Sequence, residues 1–292
     1  MKILITGAKG QLGSELCAII AAGRSEIGPT PDWAAGAQVI PVDVAELDIT
    51  RREAVFTMMK EHRPDVVFNC AAYTNVNGCE TDFDTAMAVN ALGPRNLAMA
   101  CERTGAELIH VSTDYVFSGE ANRPYTECDV PAPQSAYGVT KLLGEQYVRD
   151  FCTRYKIVRT AWLYGYQGGN FVRTMLRLAQ EKPFVCVVND QRGTPTHAND
   201  LAHHLLKLVD SGEYGIYHCT GAGECTWYEF AREIVRLSGI KGEIRPCTTE
   251  EYPTPAKRPA YSVLDHAMLR LTVGDEMRPW QEALADYFRH CG

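Results

Sequence analysis

The sequence predicts an α/β protein, a Rossmann-like doubly wound parallel sheet with a smaller C-terminal substrate lobe. Three observations predict it. The chain opens with an apolar strand, Met1-Lys-Ile-Leu-Ile-Thr6, which runs straight into a glycine loop and an apolar-spaced helix. Strands and helices then alternate, as they do in parallel sheets. That rhythm breaks in the proline-rich stretch 246–259, where a smaller lobe is expected.

The first strand is a short apolar run, the pattern of a strand buried on both faces. The loop after it reads Gly7-Ala-Lys-Gly10-Gln11-Leu12-Gly13. Gly7 permits a sharp exit from the strand, Gly10 a close backbone approach to a pyrophosphate, and Gly13 tight helix–strand packing. The helix N-terminus attracts phosphate charge. The spacing is G-x-x-G-x-x-G rather than the commoner G-x-G-x-x-G. Residues 24–36 hold two prolines, two glycines and Trp33, and read as an inserted surface loop.

The second strand, 39–42, ends at Asp43. A carboxylate there either binds an adenosine ribose 2′-OH and disfavours a 2′-phosphate, or is a solvated turn residue. The gap from Gly7 exceeds the usual ~20 residues, and the 24–36 insert accounts for it. Asp48 and Ile49 follow and flank the adenine in the same reading. The third strand, 66–70, leads to Ala71, Ala72 and Tyr73, small residues at a strand's C-terminal end, where open sheets bind ligands. Further strands are expected at 107–112, 156–160, 184–188 and 216–220. Helices are expected at 51–62, 84–104, 137–155, 171–181, 199–211 and 226–237. Residues 1–165 form the expected dinucleotide-binding part, with about 184–220 returning to it, and 166–292 form mainly the substrate lobe.

The chemistry is concentrated in Tyr137-Gly-Val-Thr-Lys141 and the upstream Ser112-Thr113-Asp114. A tyrosine and a lysine four apart share one helix face. The ammonium favours the phenolate and lowers the tyrosine pKa. The Thr113 hydroxyl, arriving from another element, can bind the same substrate oxygen. Together they make a proton-donating site for a carbonyl that accepts a hydride. Asn90, inside a helical stretch, reads as a capping or surface residue, or as a bridge through water to Lys141.

Composition narrows the class. Hydrophobic residues are 46% and charged residues 22% of 292, near the globular norm. The net charge of −7 without a basic tract argues against nucleic acid. No apolar run approaches the ~20 residues of a membrane span, and the N-terminus reads as a strand rather than a signal peptide. Eleven cysteines without a C-x-x-C pair read as reduced thiols in a cytoplasm. Cys70, Cys186 and Cys219 fall in expected strands and read as packing residues. No His/Cys cluster has metal-ligand spacing, and His203-His204 place their rings on different helix faces, so no metal is expected.

The glycine loop, Ala-Ala-Tyr73-Thr, Ser-Thr-Asp-Tyr-Val-Phe117, Ser-Ala-Tyr-Gly-Val-Thr-Lys141, Arg159-Thr-Ala-Trp-Leu-Tyr-Gly165, Asn189-Asp-Gln-Arg-Gly-Thr-Pro195 and Lys257-Arg-Pro-Ala-Tyr-Ser262 carry a resemblance over residues 1 to about 290. In them the chain resembles the dTDP-4-dehydrorhamnose reductases, a branch of the extended short-chain dehydrogenase/reductases. The resemblance implies reduction of the C4 ketone of dTDP-4-dehydro-L-rhamnose by NADPH or NADH, in the supply of cell-envelope polysaccharide. It implies that Tyr137 is the general acid, that Lys141 tunes it and holds the ribose, and that Thr113 binds the ketone oxygen. Val76, Asp114, Tyr115 and Trp162 then border the substrate. Arg258 stands near its diphosphate, or forms a surface salt bridge.

Two departures accompany it. Relatives commonly read Thr-Ala-Val-Asp where this chain has Thr74-Asn-Val-Asn77. Some relatives dimerise around a cation held by glutamates; Glu15 is retained, but the later position is Asn199. Either a metal-free homodimer or another state is open. Two other functions stay in view: a non-catalytic NADP-binding subunit similar to that of methionine adenosyltransferase, and an extended reductase or epimerase for another nucleotide sugar.

Overall fold

The computed structural model describes residues 1–291. The first half runs β1 (Lys2–Thr6), α1 (Gln11–Ala22), β2 (Gln38–Val42), α2 (Arg52–His62), β3 (Val66–Asn69), α3 (Val76–Thr81), α4 (Phe83–Met87), α5 (Gly93–Thr104), β4 (Glu107–Thr113), α6 (Ala136–Phe151) and β5 (Tyr155–Thr160). The second half runs β6 (Leu163–Tyr164), α7 (Phe171–Glu181), β7 (Phe184–Val188), β8 (Arg192–Gly193), β9 (Thr196–His197), α8 (Ala198–Val209), β10 (Gly215–His218), β11 (Cys225–Thr226), α9 (Trp227–Ser238), β12 (Glu243–Cys247), α10 (Ala267–Thr272) and α11 (Trp280–His290).

Six strands form one parallel sheet in the order β10-β5-β4-β3-β1-β2. The chain leaves β1 for β2 on one side and returns to β3 on the other, so the strand order reverses between β1 and β3. Open α/β sheets bind ligands at the carboxyl ends beside such a reversal. One face of the sheet packs on α1 and α8 through Leu16, Ile19, Leu201 and Leu205. The other packs on α2, α5 and α6 through Val55, Met59, Leu97 and Val148. A third cluster, Tyr164, Phe230, Ile234, Leu284 and Tyr287, belongs to the later elements. Among the described residues no helix is long and apolar enough to cross a membrane.

Several expectations need correction. The expected return of 184–220 to the first half divides: α8 and β10 reach the central sheet, whereas β7 pairs with β12 outside it. β12 crosses the start of the proline-rich stretch, and its Pro246 sits in a two-stranded edge that needs few ladder donors. The helix 137–155 ends at Phe151, because Tyr155 pairs with Leu108 in β5. The helix 84–104 is interrupted by a π-turn, Ala88–Leu92. The 24–36 insert lies at the surface as expected, and is anchored there: Trp33 packs against the core, and Ser25 is buried with its hydroxyl 2.8 Å from His203 Nδ1. Cys186 is exposed, because it points away from the lobe on an alternating strand. Cys70 and Cys219 lie one residue beyond β3 and β10. All eleven cysteines are free.

Candidate active site

The glycine loop is shaped by contact as much as by conformation. Gly7 has φ +63, and a Cβ there would stand 2.8 Å from Ala71 N. A Cβ on Gly13 would stand 2.3 Å from Gly7 O, so α1 presses on the strand exit only because both are glycine. Gly10 faces outward and caps the helix start; the Ser14 amide donates to its carbonyl at 3.1 Å. Leu12 is buried, and Gln11 leaves its buried Oε1 without a partner. The loop thus meets Cys70 and Ala71 across the β1/β3 reversal. The Thr6 hydroxyl donates to Asn69 Oδ1 at 2.7 Å and joins the two strand ends.

Asp43 lies beside this loop: Oδ2 accepts from Lys9 N at 3.1 Å and Oδ1 from Val44 N at 2.8 Å. Asp48 is turned onto its own loop, where Oδ1 accepts from the Thr50 amide and hydroxyl. Ile49 is buried, and a Cβ on Gly93 would meet its side chain at 2.6 Å. Tyr73 is fixed by Asn90, whose Oδ1 accepts from the Tyr73 amide at 2.8 Å and whose Nδ2 donates to the Tyr73 carbonyl at 3.1 Å. Asn90 is fully buried in the π-turn, neither a surface residue nor a cap. Such single turns often mark functional sites. A Cβ on Gly144 would come within 2.2 Å of Asn90 O, so that glycine lets α6 lie against the turn.

Ser135 starts α6: its hydroxyl accepts from Gly138 N at 3.2 Å, which places Tyr137 in the first turn. A Cβ on Gly138 would meet Tyr115 O at 2.2 Å, so the helix start is pressed onto the turn that follows Thr113 at the end of β4. The Tyr115 and Tyr137 rings meet edge-on, centroids 5.5 Å apart. Lys141, one turn along, is buried and donates from Nζ to Val111 O at 2.7 Å. Thr113, Tyr137 and Lys141 are therefore brought together, although the sequence separates Thr113 from the other two.

The expected effect of Lys141 on Tyr137 is corrected by the electrostatics. Burial pushes the tyrosine pKa up, the Asp114 charge adds to this, and the nearby Thr113 hydroxyl opposes it. The lysine directs its ammonium to a backbone carbonyl, and burial lowers its own pKa to about 8 against the opposing charges of Glu145 and Cys70. Glu145 is anchored below: it accepts from Ser112 Oγ at 2.6 Å and pairs with buried Arg159 at 2.7 Å.

The residues expected on the substrate side come from separate segments of the chain. Val76 begins α3, half-buried. Arg258 Nη1 lies 3.4 Å from Tyr115 Oη, inside the site rather than in a surface pair. Trp162 stacks on Trp227 with centroids 3.5 Å apart and has φ +47, an uncommon region for a bulky residue. A Cβ on Gly193 would lie 2.6 Å from Trp162 and 2.8 Å from Ser262 Oγ. Gly193 and Ser262 fall in motifs that carry the resemblance, without a role assigned to them, and Trp227 has no signal of its own beyond the expected helix 226–237. Asp114 is 2% exposed, and burial raises its carboxyl to about 6.

Glu15, remote from this point, accepts from Asn199 Nδ2 at 2.7 Å. The side chains of Glu26, His197 and Asp200 converge in metal-ligand fashion. The Arg278 guanidinium already lies among them, 2.8 Å from Glu26 and 3.0 Å from Asp200 Oδ2, and also pairs with Asp286.

A six-stranded parallel sheet, a glycine loop at its reversal and a Thr/Tyr/Lys set at the end of β4 define a nucleotide-cofactor oxidoreductase of the extended short-chain dehydrogenase/reductase type. The chain belongs to the family described as RmlD substrate binding domain, whose model matches residues 1–292. It is 51% identical to a solved dTDP-4-dehydrorhamnose reductase from Clostridium acetobutylicum ATCC 824, with TM-score 0.94 over 100% of this chain and 99% of that one. The dTDP-4-dehydrorhamnose reductase of Bacillus anthracis str. Ames, solved in complex with NADP, is 41% identical, with TM-score 0.90 over 99% of each chain. A dTDP-4-keto-6-deoxy-D-glucose reductase from Streptomyces niveus is 42% identical over 98% of this chain and 96% of its own.

Proposed function

We propose that this chain reduces the C4 ketone of dTDP-4-dehydro-L-rhamnose to dTDP-L-rhamnose with NADPH or NADH, in nucleotide-sugar supply for surface polysaccharide. The observation that carries this reading is the meeting of Tyr137 and Thr113 at the carboxyl end of β4, beside the loop and reversal that suit a dinucleotide.

The residues present fit that cofactor. The glycine loop gives a close backbone approach and a helix N-terminus for the pyrophosphate. Asp43, beside the loop, would accept from a ribose hydroxyl, and Ala71, Ala72 and Tyr73, the last held by Asn90, would border the nicotinamide half. The bound dinucleotide supplies a hydride to the ketone carbon. Tyr137 delivers the proton to the carbonyl oxygen, and burial keeps its phenol neutral before transfer. Lys141, fixed on Val111 O, holds the ribose side and keeps positive charge near the developing alkoxide. Trp162, Val76, Tyr115 and Arg258 border the sugar and its diphosphate, with the Arg258 fork suited to phosphate oxygens. Residues 1–165 with 198–218 hold the dinucleotide in this reading, and the remaining segments close over the nucleotide sugar. The eleven free thiols suit a reducing cytoplasm.

The Streptomyces relative favours a second substrate, the C4 ketone of a dTDP-6-deoxy-D-glucose. Oxidation of NADPH and of NADH by purified protein separates the two, with each 4-keto sugar supplied in turn. Faster turnover of dTDP-4-dehydro-L-rhamnose is expected. Faster turnover of the glucose-configured ketone reassigns the substrate. Cofactor binding without turnover of either overturns the enzyme reading in favour of a regulatory role.

A further inference from the structure

Thr113 has one proton to give, and the structure shows where it goes. Its Oγ1 donates to Asp114 Oδ1 at 2.9 Å and accepts from Tyr115 N at 3.2 Å. With that proton committed, the hydroxyl offers only lone pairs toward Tyr137. It can hold the tyrosine, but it has nothing to donate to a ketone oxygen. The other Asp114 oxygen, Oδ2, is buried without a partner, and so is the nearby Ser262 Oγ. Unpartnered buried polar atoms are rare and call for an explanation.

Resting on the ketone-reductase reading, we propose that Asp114 is a positioning residue that sets the direction of the Thr113 hydroxyl. A neutral Asp114 donates to Thr113 and releases the threonine proton toward the substrate oxygen. An ionised Asp114 withdraws it. No covalent step is added: the hydride and the Tyr137 proton move as before, and only a hydrogen bond changes direction. The two states differ by a proton on one buried carboxyl, so the device is a two-position switch inside the pocket wall.

The surroundings favour such a switch. Burial raises the Asp114 carboxyl to about 6, and the Thr113 hydrogen bond and the nearby Ser262 hydroxyl only partly offset it. The titratable and charged groups around it are Tyr137 from α6, Tyr115 from the adjoining turn, and Arg258, which reaches Tyr115 from the C-terminal segment. The Arg258 guanidinium touches the tyrosine hydroxyl rather than the carboxylate, so Asp114 keeps no direct cationic partner there. Near neutral pH a fraction of the molecules therefore carries the neutral form.

Turnover against pH tests this in the parent, Asp114→Asn and Thr113→Val. In the parent, kcat should fall as pH rises through about 6, by up to about 10²-fold, the worth of one donor to a developing oxyanion. In Asp114→Asn the amide donates to Thr113 at every pH, so that fall should disappear and turnover at pH 8 should exceed the parent's. Thr113→Val should also abolish the fall, because nothing remains to be redirected. A fall that survives in Thr113→Val shows that Asp114 acts on Tyr137 directly and overturns the proposal. A fall that survives in Asp114→Asn overturns it too.

A second measurement needs no turnover. The carboxyl carbon-13 signal of Asp114 should titrate near 6 in the full-length protein and move higher in Thr113→Val, which removes a donor to the ionised form. A titration near 4 that ignores Thr113→Val overturns the proposal even if no nucleotide sugar is reduced. Loss of turnover with all substrates, with the titration as expected, instead counts against the reductase reading alone.

Discussion

The pocket at the end of β4 and the charged junction around Arg278 are both buried and polar, and they are built on opposite principles. In the pocket, Asp114 Oδ2 and Ser262 Oγ lack partners, Tyr137 and Asp114 are pushed up, and Lys141 is pushed down. At the junction, Arg278 is held by Glu26, Asp200 and Asp286, while Asn199 bridges Glu15 to the Glu26 amide. Hydrogen bonds from His197 and Arg278 hold the Asp200 carboxyl low against its burial. Incomplete pairing leaves groups ready to exchange protons and destabilises the fold; at the junction the guanidinium and its carboxylates are all paired, and His197 Nε2 is left without a partner. The difference sets the proposed place of chemistry apart from a structural tie between residues distant in the sequence.

Substitutions should separate the two regions. The largest effect is expected at Tyr137: Tyr137→Phe should keep cofactor binding, measured by nucleotide fluorescence, and lower turnover by about 10²–10⁴, the usual worth of a positioned general acid. Turnover within a few-fold of the parent removes Tyr137 from the mechanism. Arg278→Met should leave three carboxylates facing one another and lower stability by about 3 kcal/mol in urea unfolding. An unchanged midpoint dissolves the contrast.

Asp114→Asn should move stability the other way. The folded-state pKa lies above that of the unfolded chain, so the ionisation penalty is absent below about pH 4 and complete above about 6. The variant should therefore be more stable than the parent at pH 7, by at most about 3 kcal/mol, and lose the advantage at pH 4. Equal stability at both pH values contradicts the burial argument.

Smaller effects test the rims. Asp43→Ser should improve NADPH relative to NADH by about tenfold in kcat/KM, roughly one charged hydrogen bond or 1.4 kcal/mol. A ratio that does not move shows that Asp43 stays off the ribose. EDTA should leave activity and the mass by light scattering unchanged, because Asn199 engages Glu15 and a guanidinium fills the space between Glu26 and Asp200. Loss of activity that Mg²⁺ restores contradicts this.

The same contrast explains what was legible in the sequence. Tyr137 and Lys141 are one helical turn apart, and the glycine loop is seven residues long, so their patterns survive in a linear reading. The parallel sheet followed from the alternation of strands and helices. The junction joins residues 15, 26, 199, 200, 278 and 286, and no local pattern connects them. Ser262 and the strained Trp162 fit beside each other only because position 193 is glycine. The π-turn at Asn90 has no periodic signature, since it resembles an ordinary helix with one residue too many. β12 was hidden because its proline reads as a breaker, and a two-stranded edge tolerates it. The expected lowering of the Tyr137 pKa failed for a related reason: spacing gives proximity, whereas burial depends on the whole fold.

The most direct test of the central claim, that the β4 pocket reduces a sugar ketone, is to follow isotope from cofactor to product. Protein supplied with cofactor carrying deuterium at the transferable position of nicotinamide C4, and with dTDP-4-dehydro-L-rhamnose, should yield product with one deuterium on sugar C4, detected by NMR and mass spectrometry. Cofactor consumed without deuterium at C4, or bound without being consumed, contradicts the account.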